Sequence, residues 1–394
     1  MSEWKKVKLG DYIDVLSGFA YKSKDFSDSG IPVIKIKNVC PPYISLEDLS
    51  YVPNSIAFQN PRYILKKGDV LIAMTGSHIN QIASVVGRVG RVRYDDVTVL
   101  NQRVGKIVNK DDSLSCLDFI YYYLSQYEVK VELAQKAGGA ANQANISPSD
   151  IKNLMIPCPP LEVQNRIATI LSRYDSLIEN YQNQIKLLEE AAQRLYKEWF
   201  VDLHFPGHEN TLIIDGVPEG WRTPSKLGQL AEFKRGKTIT KKDAVEGTIP
   251  VVAGGLEPAY YCNRSNTAER VITVSGSGAN AGFTRMYFER VWASDCSFVD
   301  ALTTPFLHFV YCYLKGNKTT IDNMQKGAAQ PHVYAKDINS LEISIPVESI
   351  LKSFEKNASK YFDTISSLQS QIRLLTEARD RLLPKLLSNC NKYK

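Results

Sequence analysis

Several short runs carry residue types that could do chemistry, and each fails on a neighbour that the chemistry would need. Cys40-Pro41-Pro42-Tyr43 holds the Pro-Pro-Tyr of an amino-methyltransferase site. That site needs Asp, Asn or Ser in the first place to accept hydrogen bonds from the target amine, and a thiol accepts poorly. No F-x-G-x-G cofactor loop accompanies it, so the run reads as a turn. Pro157-Cys158 has the look of a cytosine methyltransferase nucleophile and meets the same objection; it reads as a structural cysteine entering a helix. Gly236-Lys237-Thr238 imitates the end of a phosphate-binding loop, but the first glycine of G-x-x-x-x-G-K-T falls on Ala231. Gly276 to Gly282 follows a strand without G-x-G-x-x-G spacing and reads as a loop. His204 and His208 have metal-like spacing with no cysteine pair nearby, so no metal site is expected. No carboxylate cluster with a nearby lysine suggests a nuclease centre. The sequence offers no catalytic machinery.

Side chains suited to nucleic acid recur in both halves of the chain. Basic residues cluster as Arg88, Arg91 and Arg93, and again as Lys234, Arg235, Lys237, Lys241 and Lys242. Such residues neutralise phosphates, while amides beside them read base edges. The loop with Thr75, Ser77, His78, Asn80 and Gln81 corresponds to one with Ser275, Ser277 and Asn280. Asn101, Gln102 and Arg103, then Asn142, Gln143 and Asn145, extend the first set; Arg285, Gln330 and His332 extend the second. Singly each fits a solvated loop. As a set occurring twice they point to recognition of double-stranded DNA.

These loops need elements to hold them, and the elements also occur twice. Leu171, Tyr174, Ile178, Tyr181, Ile185, Leu188, Ala192, Leu195 and Trp199 step by three and four, an a/d stripe of four heptads. A shift of 187 residues brings the stripe back as Ala358, Tyr361, Ile365, Leu368, Ile372, Leu375, Arg379, Leu382 and Leu386. The globular parts repeat at other shifts: Gly18 matches Gly236, Ile31-Pro32 matches Ile249-Pro250, and Thr75-Gly76-Ser77 matches Ser275-Gly276-Ser277. The chain is a tandem duplication. The expected order is a globe (1–158), a long helix (159–205), a second globe (206–346) and a second long helix (347–394). Strands are expected at Pro32 to Ile36, Asp69 to Met74, Ile82 to Val86 and Val97 to Leu100, and a helix over Leu117 to Leu133. The long helices should cover about Leu161 to Phe200, broken by Pro206-Gly207, and Ile350 to Leu387, with a kink or fraying at Pro384. Apolar residues off the stripe (Leu177, Leu187, Phe200, Leu374, Leu383) imply that another protein lies against the helices.

Composition permits this reading and narrows it. The 394 residues suffice for two to three domains, and the net charge of +6 suits an anionic partner without requiring one. No apolar run approaches the ~18 residues of a membrane span, and the opening residues lack a signal peptide's apolar core. Seven cysteines without a C-x-x-C pair suggest reduced thiols and a cytoplasmic location.

The ordered motifs resemble the specificity subunit of type I restriction-modification systems. They are W-x-x-V-x-L-G-D (Trp4 to Asp11), the run Lys67 to Gly76, Leu100-Asn101-Gln102, Ile146 to Leu154, and Ile156 to Gln164. The resemblance covers the whole chain. It implies an α/β (mixed α+β) fold: two similar target-recognition globes, separated by two long helices pairing as an antiparallel coiled coil with pseudo-twofold symmetry. It implies that each globe reads one half of a bipartite DNA target and that the helix pair sets the spacer. The helices would dock methyltransferase subunits, probably two, and restriction subunits through them. No cofactor is expected in this chain; S-adenosylmethionine, ATP and Mg would belong to partner subunits. The second globe departs from the pattern, with Gly327 to His332 where the first has Gly138 to Asn145. Two readings from other classes stand beside this one. A protein-interaction scaffold built on the coiled coil predicts no sequence-selective DNA affinity; an enzyme with an unfamiliar site predicts turnover by the isolated chain.

Overall fold

The computed structural model describes residues 4–77, 85–137, 144–325 and 331–388. The chain divides into two compact units, Met1–Ile178 with Arg373–Lys394, and Glu179–Ile372. Each unit therefore holds one globe and a part of both long helices.

Unit 1 is built on a six-stranded sheet ordered Ile13–Ser17, Val104–Asn109, Val70–Ala73, Val89–Arg91, Tyr43–Ile44, Val39–Cys40. A four-stranded sheet joins Ser50–Val52, Ile31–Ile34, Thr98–Leu100 and Ile64–Leu65, with Val99 beside Val33 in a parallel pair. Val70–Ala73 is buried along its whole length, and its alternating side chains serve two cores. Val70 and Ile72 meet Phe119 and Ile120, while Leu71 and Ala73 meet Ile34 and Leu100. Unit 2 repeats the plan more briefly. Lys234–Arg235, Cys296–Asp300, Val271–Ser275 and Thr284–Tyr287 form one sheet, and Tyr260–Cys262, Ile249–Val252 and Trp292–Ala293 the other. Here Trp292 lies parallel beside Val251, as Val99 does beside Val33.

The expected strands appear as Ile31–Ile34, Val70–Ala73 and Thr98–Leu100. Most of the one expected at Ile82 to Val86 lies outside the described residues. The single helix expected over Leu117 to Leu133 is two, Leu117–Leu124 and Tyr127–Gln135. The chain breaks where Gln126 turns extended, at ψ 141°, and polar side chains cap the end. Ser125 Oγ donates to the Tyr121 carbonyl at 2.7 Å and Gln126 Nε2 to that of Tyr123 at 3.1 Å. The Tyr121 carbonyl also keeps its helical bond from the Ser125 amide, at 3.0 Å.

The long helices are Leu161–Phe200 and Glu348–Ser388. The first stops earlier than Pro206-Gly207, because Leu203 takes a left-handed φ of 62°. The second continues past Pro384 to Ser388. In unit 1 the start of the first helix (Ile167, Ala168, Leu171) shares a core with the end of the second (Leu383, Leu386, Leu387). In unit 2 the end of the first (Ala192, Tyr196, Trp199) shares one with the start of the second (Leu351, Phe354, Ala358). Both sets of contacts require antiparallel pairing.

One repeat emerges only with the packing in view. Leu117–Leu124 reads LDFIYYYL and the start of Leu307–Gly316 reads LHFVYCYL. Both segments are buried helices that rest on the long helices of their own unit.

Candidate nucleic-acid interface

The parallel strand pair of each unit delivers a polar loop at its end. In unit 1 Thr98–Leu100 leads directly into Asn101, Gln102 and Arg103. Gly18 lies against this loop so tightly that a Cβ there would sit 2.4 Å from the Asn101 carbonyl. Gln102 and Arg103 are exposed, and the Asn101 side chain accepts from the Arg103 amide at 3.3 Å. In unit 2 Trp292–Ala293 leads into Ser294 and Asp295, and a Cβ on Gly236 would meet the Ser294 carbonyl, again at 2.4 Å. The two glycines serve the same purpose, permitting a backbone approach that any side chain would prevent.

Replacing Gly18 with alanine is therefore expected to push the Asn101–Arg103 loop aside and to cost about 1–3 kcal/mol. The comparison is Gly316→Ala, where a Cβ would meet nothing within 4 Å. Thermal melting separates them; a G18A chain that melts with the wild type would show that the loop can yield.

The other candidate residues divide by burial. Thr75 is buried and donates to Asn145 Oδ1 at 2.7 Å across a strand pair, so both side chains are engaged within the globe. Arg91 is buried, paired with Asp118 at 2.7 Å and set 4.3 Å over the Tyr121 ring. It acts inside the globe, where a phosphate cannot reach it. Arg93 lies 5.6 Å over the Tyr43 ring, and Arg88 is half-buried. Ser77 is half-buried at the end of its loop. His78, Asn80, Gln81, Asn142, Gln143 and Gln330 lie outside the described residues.

In unit 2 Lys234 and Arg235 are exposed on a strand, and Lys237, Lys241 and Lys242 are exposed beyond it. Ser275 is buried, Asn280 donates to the Gly254 carbonyl at 3.4 Å, and Arg285 donates to that of Leu256 at 2.8 Å. Ser277 and His332 are brought together by a β-bridge. With Arg235 and Lys336 they line a cavity of about 510 Å³. Inside it, Ser277 Oγ donates to Asp295 Oδ2, and the His332 ring stacks on Tyr334 at 5.8 Å. Burial pushes the Cys296 thiol in its wall up to about 12, so it stays protonated at neutral pH. Asp295 escaped the sequence reading. Its signal is positional: it follows its parallel strand where Gln102 follows the other. Among the described residues no group of three or more His, Cys, Asp or Glu is placed to hold a metal.

A second surface is duplicated on the long helices. Gln184, Leu187, Glu190, Ala191 and Arg194 share one face of the first helix in unit 2. Leu374, Glu377, Ala378 and Arg381 repeat it on the second helix in unit 1, and Gln371, which answers Gln184, precedes them at the end of unit 2. Leu187 is 62% exposed and Leu374 is 59%. Ion pairs Arg194–Glu190 (3.7 Å) and Arg381–Glu377 (4.0 Å) run along both. Inward positions of the same helices are mixed: Ile178 returns as Ile365, while Asp175 answers to Phe362 and Trp199 to the half-buried Leu386.

Residues 1–190 and 218–380 match a family model described as the type I restriction modification DNA specificity domain. The chain is 26% identical over 415 residues to the type I restriction enzyme MjaIX specificity subunit of Methanocaldococcus jannaschii, covering 98% of this chain and 93% of that one. It is 24% identical to the putative MjaX specificity subunit of the same organism, with the same coverage of 98% and 93%. Among solved structures it resembles the S subunit of a type I restriction-modification system from M. genitalium. That match has TM-score 0.59 and 19% identity, and covers 98% of this chain and 97% of that one. Among the described residues no helix is long and apolar enough to cross a membrane.

Proposed function

The chain belongs to the type I restriction-modification DNA specificity family, and from that membership we propose that its two units read the two halves of one bipartite duplex target. The observation that carries this is the structural duplication of the recognition loop. Each unit ends a parallel strand pair in a polar loop held by a glycine, Gly18 in one and Gly236 in the other. Basic residues flanking these loops would hold phosphates and fix register, leaving the amides and carboxylate to the base edges. Two similar modules tied by continuous helices suit a target with two half-sites and a set gap. The helix pair sets that spacer, and the duplicated stripe on its surface offers the same contact to two copies of a methyltransferase subunit. Restriction subunits join through them. S-adenosylmethionine, ATP and Mg belong to those partners, and this chain contributes recognition without catalysis.

Methylome sequencing tests the reading. Cells carrying this chain with its methyltransferase subunit are compared with cells lacking only this chain. The expected result is a bipartite methylated motif, with a fixed spacer, that appears only with the chain. An assembled, active methyltransferase whose methylation pattern ignores the chain would overturn the reading.

A further inference from the structure

The recognition loops of the two units leave equivalent parallel strands and differ in the side chains that they carry. Val99 lies beside Val33 in unit 1 and Trp292 beside Val251 in unit 2, so Thr98–Leu100 and Trp292–Ala293 are the same strand in two copies. Counting on from that register, Asn101 corresponds to Ser294 and Gln102 to Asp295; the loop of unit 2 is one residue shorter, since the Gly18 amide donates to the Val104 carbonyl at 3.2 Å and the Gly236 amide to that of Cys296 at 2.8 Å. The glycines confirm the alignment, since Gly18 meets the Asn101 carbonyl and Gly236 meets that of Ser294. Backbone bonds agree: the Phe19 amide donates to the Leu100 carbonyl at 2.9 Å, and the Lys237 amide to that of Ala293 at 2.9 Å.

From this correspondence we infer that Gln102 and Asp295 are the paired base-reading residues, Gln102 set to an adenine and Asp295 to the exocyclic amine of a cytosine. The inference rests on the reading of the chain as a bipartite DNA-recognition subunit. Gln102 is exposed, with a carbonyl and an amide that match adenine N6 and N7 together. Asp295 offers acceptors only, which suits the cytosine N4 amine and repels the acceptors of guanine. Ser277 Oγ bonds Oδ2 of Asp295 and steadies the carboxylate, and no described residue bonds its Oδ1. Each reader has cations beside it to take backbone phosphates: Arg103 next to Gln102, and Arg235 and Lys336 in the wall of the Asp295 cavity. A carboxylate facing a phosphate would be a liability, whereas one facing a base amine gains a hydrogen bond. Loop position therefore supplies a common frame, and one side chain in each unit selects the base.

The test uses the full chain with its methyltransferase subunit and reads the methylated motif of three forms: wild type, Gln102→Ala and Asp295→Asn. Both substitutions are mild, one on an exposed residue and one nearly isosteric, and melting temperatures verify folding. Gln102→Ala is expected to relax an adenine at one position of one half-site by on the order of 10-fold. Asp295→Asn is expected to relax or shift a cytosine at one position of the other half-site by a similar factor, with the spacer unchanged. Folded variants that keep both half-sites intact would overturn the inference while leaving the bipartite reading in place. So would both variants altering the same half-site. A wild-type chain with no motif of its own would instead remove the reading beneath it.

Discussion

Replacing Arg379 with alanine is expected to cost about 3–5 kcal/mol, a loss out of proportion to a residue on a helix surface. Its guanidinium reaches from the second long helix to Asp175 on the first, at 2.7 Å, and Asp175 is 1% exposed. Tyr122 of the globe donates to the other oxygen of the same carboxylate, also at 2.7 Å. Burial works against the Arg379 charge, but bonds to Asp175 and Asp380 outweigh it and its pKa is raised. Removing the arginine leaves a carboxylate in the core with one hydroxyl for company, and the desolvation penalty then has little to offset it. The duplication provides the control. The 187-residue shift turns Asp175 into Phe362 and Arg379 into Ala192, and the matching helices LDFIYYYL and LHFVYCYL turn Tyr122 into Cys312. Those three are buried in the core of unit 2. A chain with Tyr122→Cys, Asp175→Phe and Arg379→Ala together should recover most of the stability, because unit 2 already closes the same junction with apolar groups. Chemical denaturation of the three chains decides it. If R379A unfolds within about 1 kcal/mol of wild type, the pair contributes no more than an exposed one.

The same junction shows what the sequence reveals and what it hides. The a/d stripes located both long helices because a repeat of three and four is a property of the helix itself. Arg379 stood in that stripe as an anomaly, and only packing explains it, since its partner lies 204 residues away. Strands such as Val70–Ala73 were legible because a fully buried strand is continuously apolar. The break at Ser125 and Gln126 was not, because the apolar pattern runs on across it while the backbone of Gln126 turns extended. Arg91 looked like its neighbours in a basic loop, yet the ion pair with Asp118 and the Tyr121 ring hold it inside. Spacing along a chain shows which residues share a loop, but not which of them the loop turns outward. Asp295 was missed for the converse reason. Its loop has no composition to mark it, and its place two residues beyond the parallel strand, as Gln102 stands beyond the other, appears only through strand register.

Charging the duplicated helix stripe should dismantle the assembly while sparing the fold. Leu187 and Leu374 are among the largest exposed apolar groups on the helices, and their neighbours repeat as Gln184 with Glu190 and Arg194, and Gln371 with Glu377 and Arg381. An apolar anchor rimmed by a glutamine and an ion pair has the composition of an interface centre, where few residues carry most of the binding energy. Leu187→Glu or Leu374→Glu places a carboxylate in that centre, and a cost of about 2 kcal/mol or more amounts to a loss of about 30-fold or more in affinity for each site. Because Leu187 and Leu374 lie on different helices and in different units, the two changes should act separately. Each single variant should bind one methyltransferase subunit in place of two, and the double variant none. The mass of the purified assembly reports all three outcomes directly. Stability should move by less than about 0.5 kcal/mol, since both positions face solvent and glutamate is a sound helix former. A double variant that assembles at wild-type mass would clear the stripe of any role. Single variants that each lose both subunits would mean that the copies bind only together, and the stripes would then be halves of one cooperative surface.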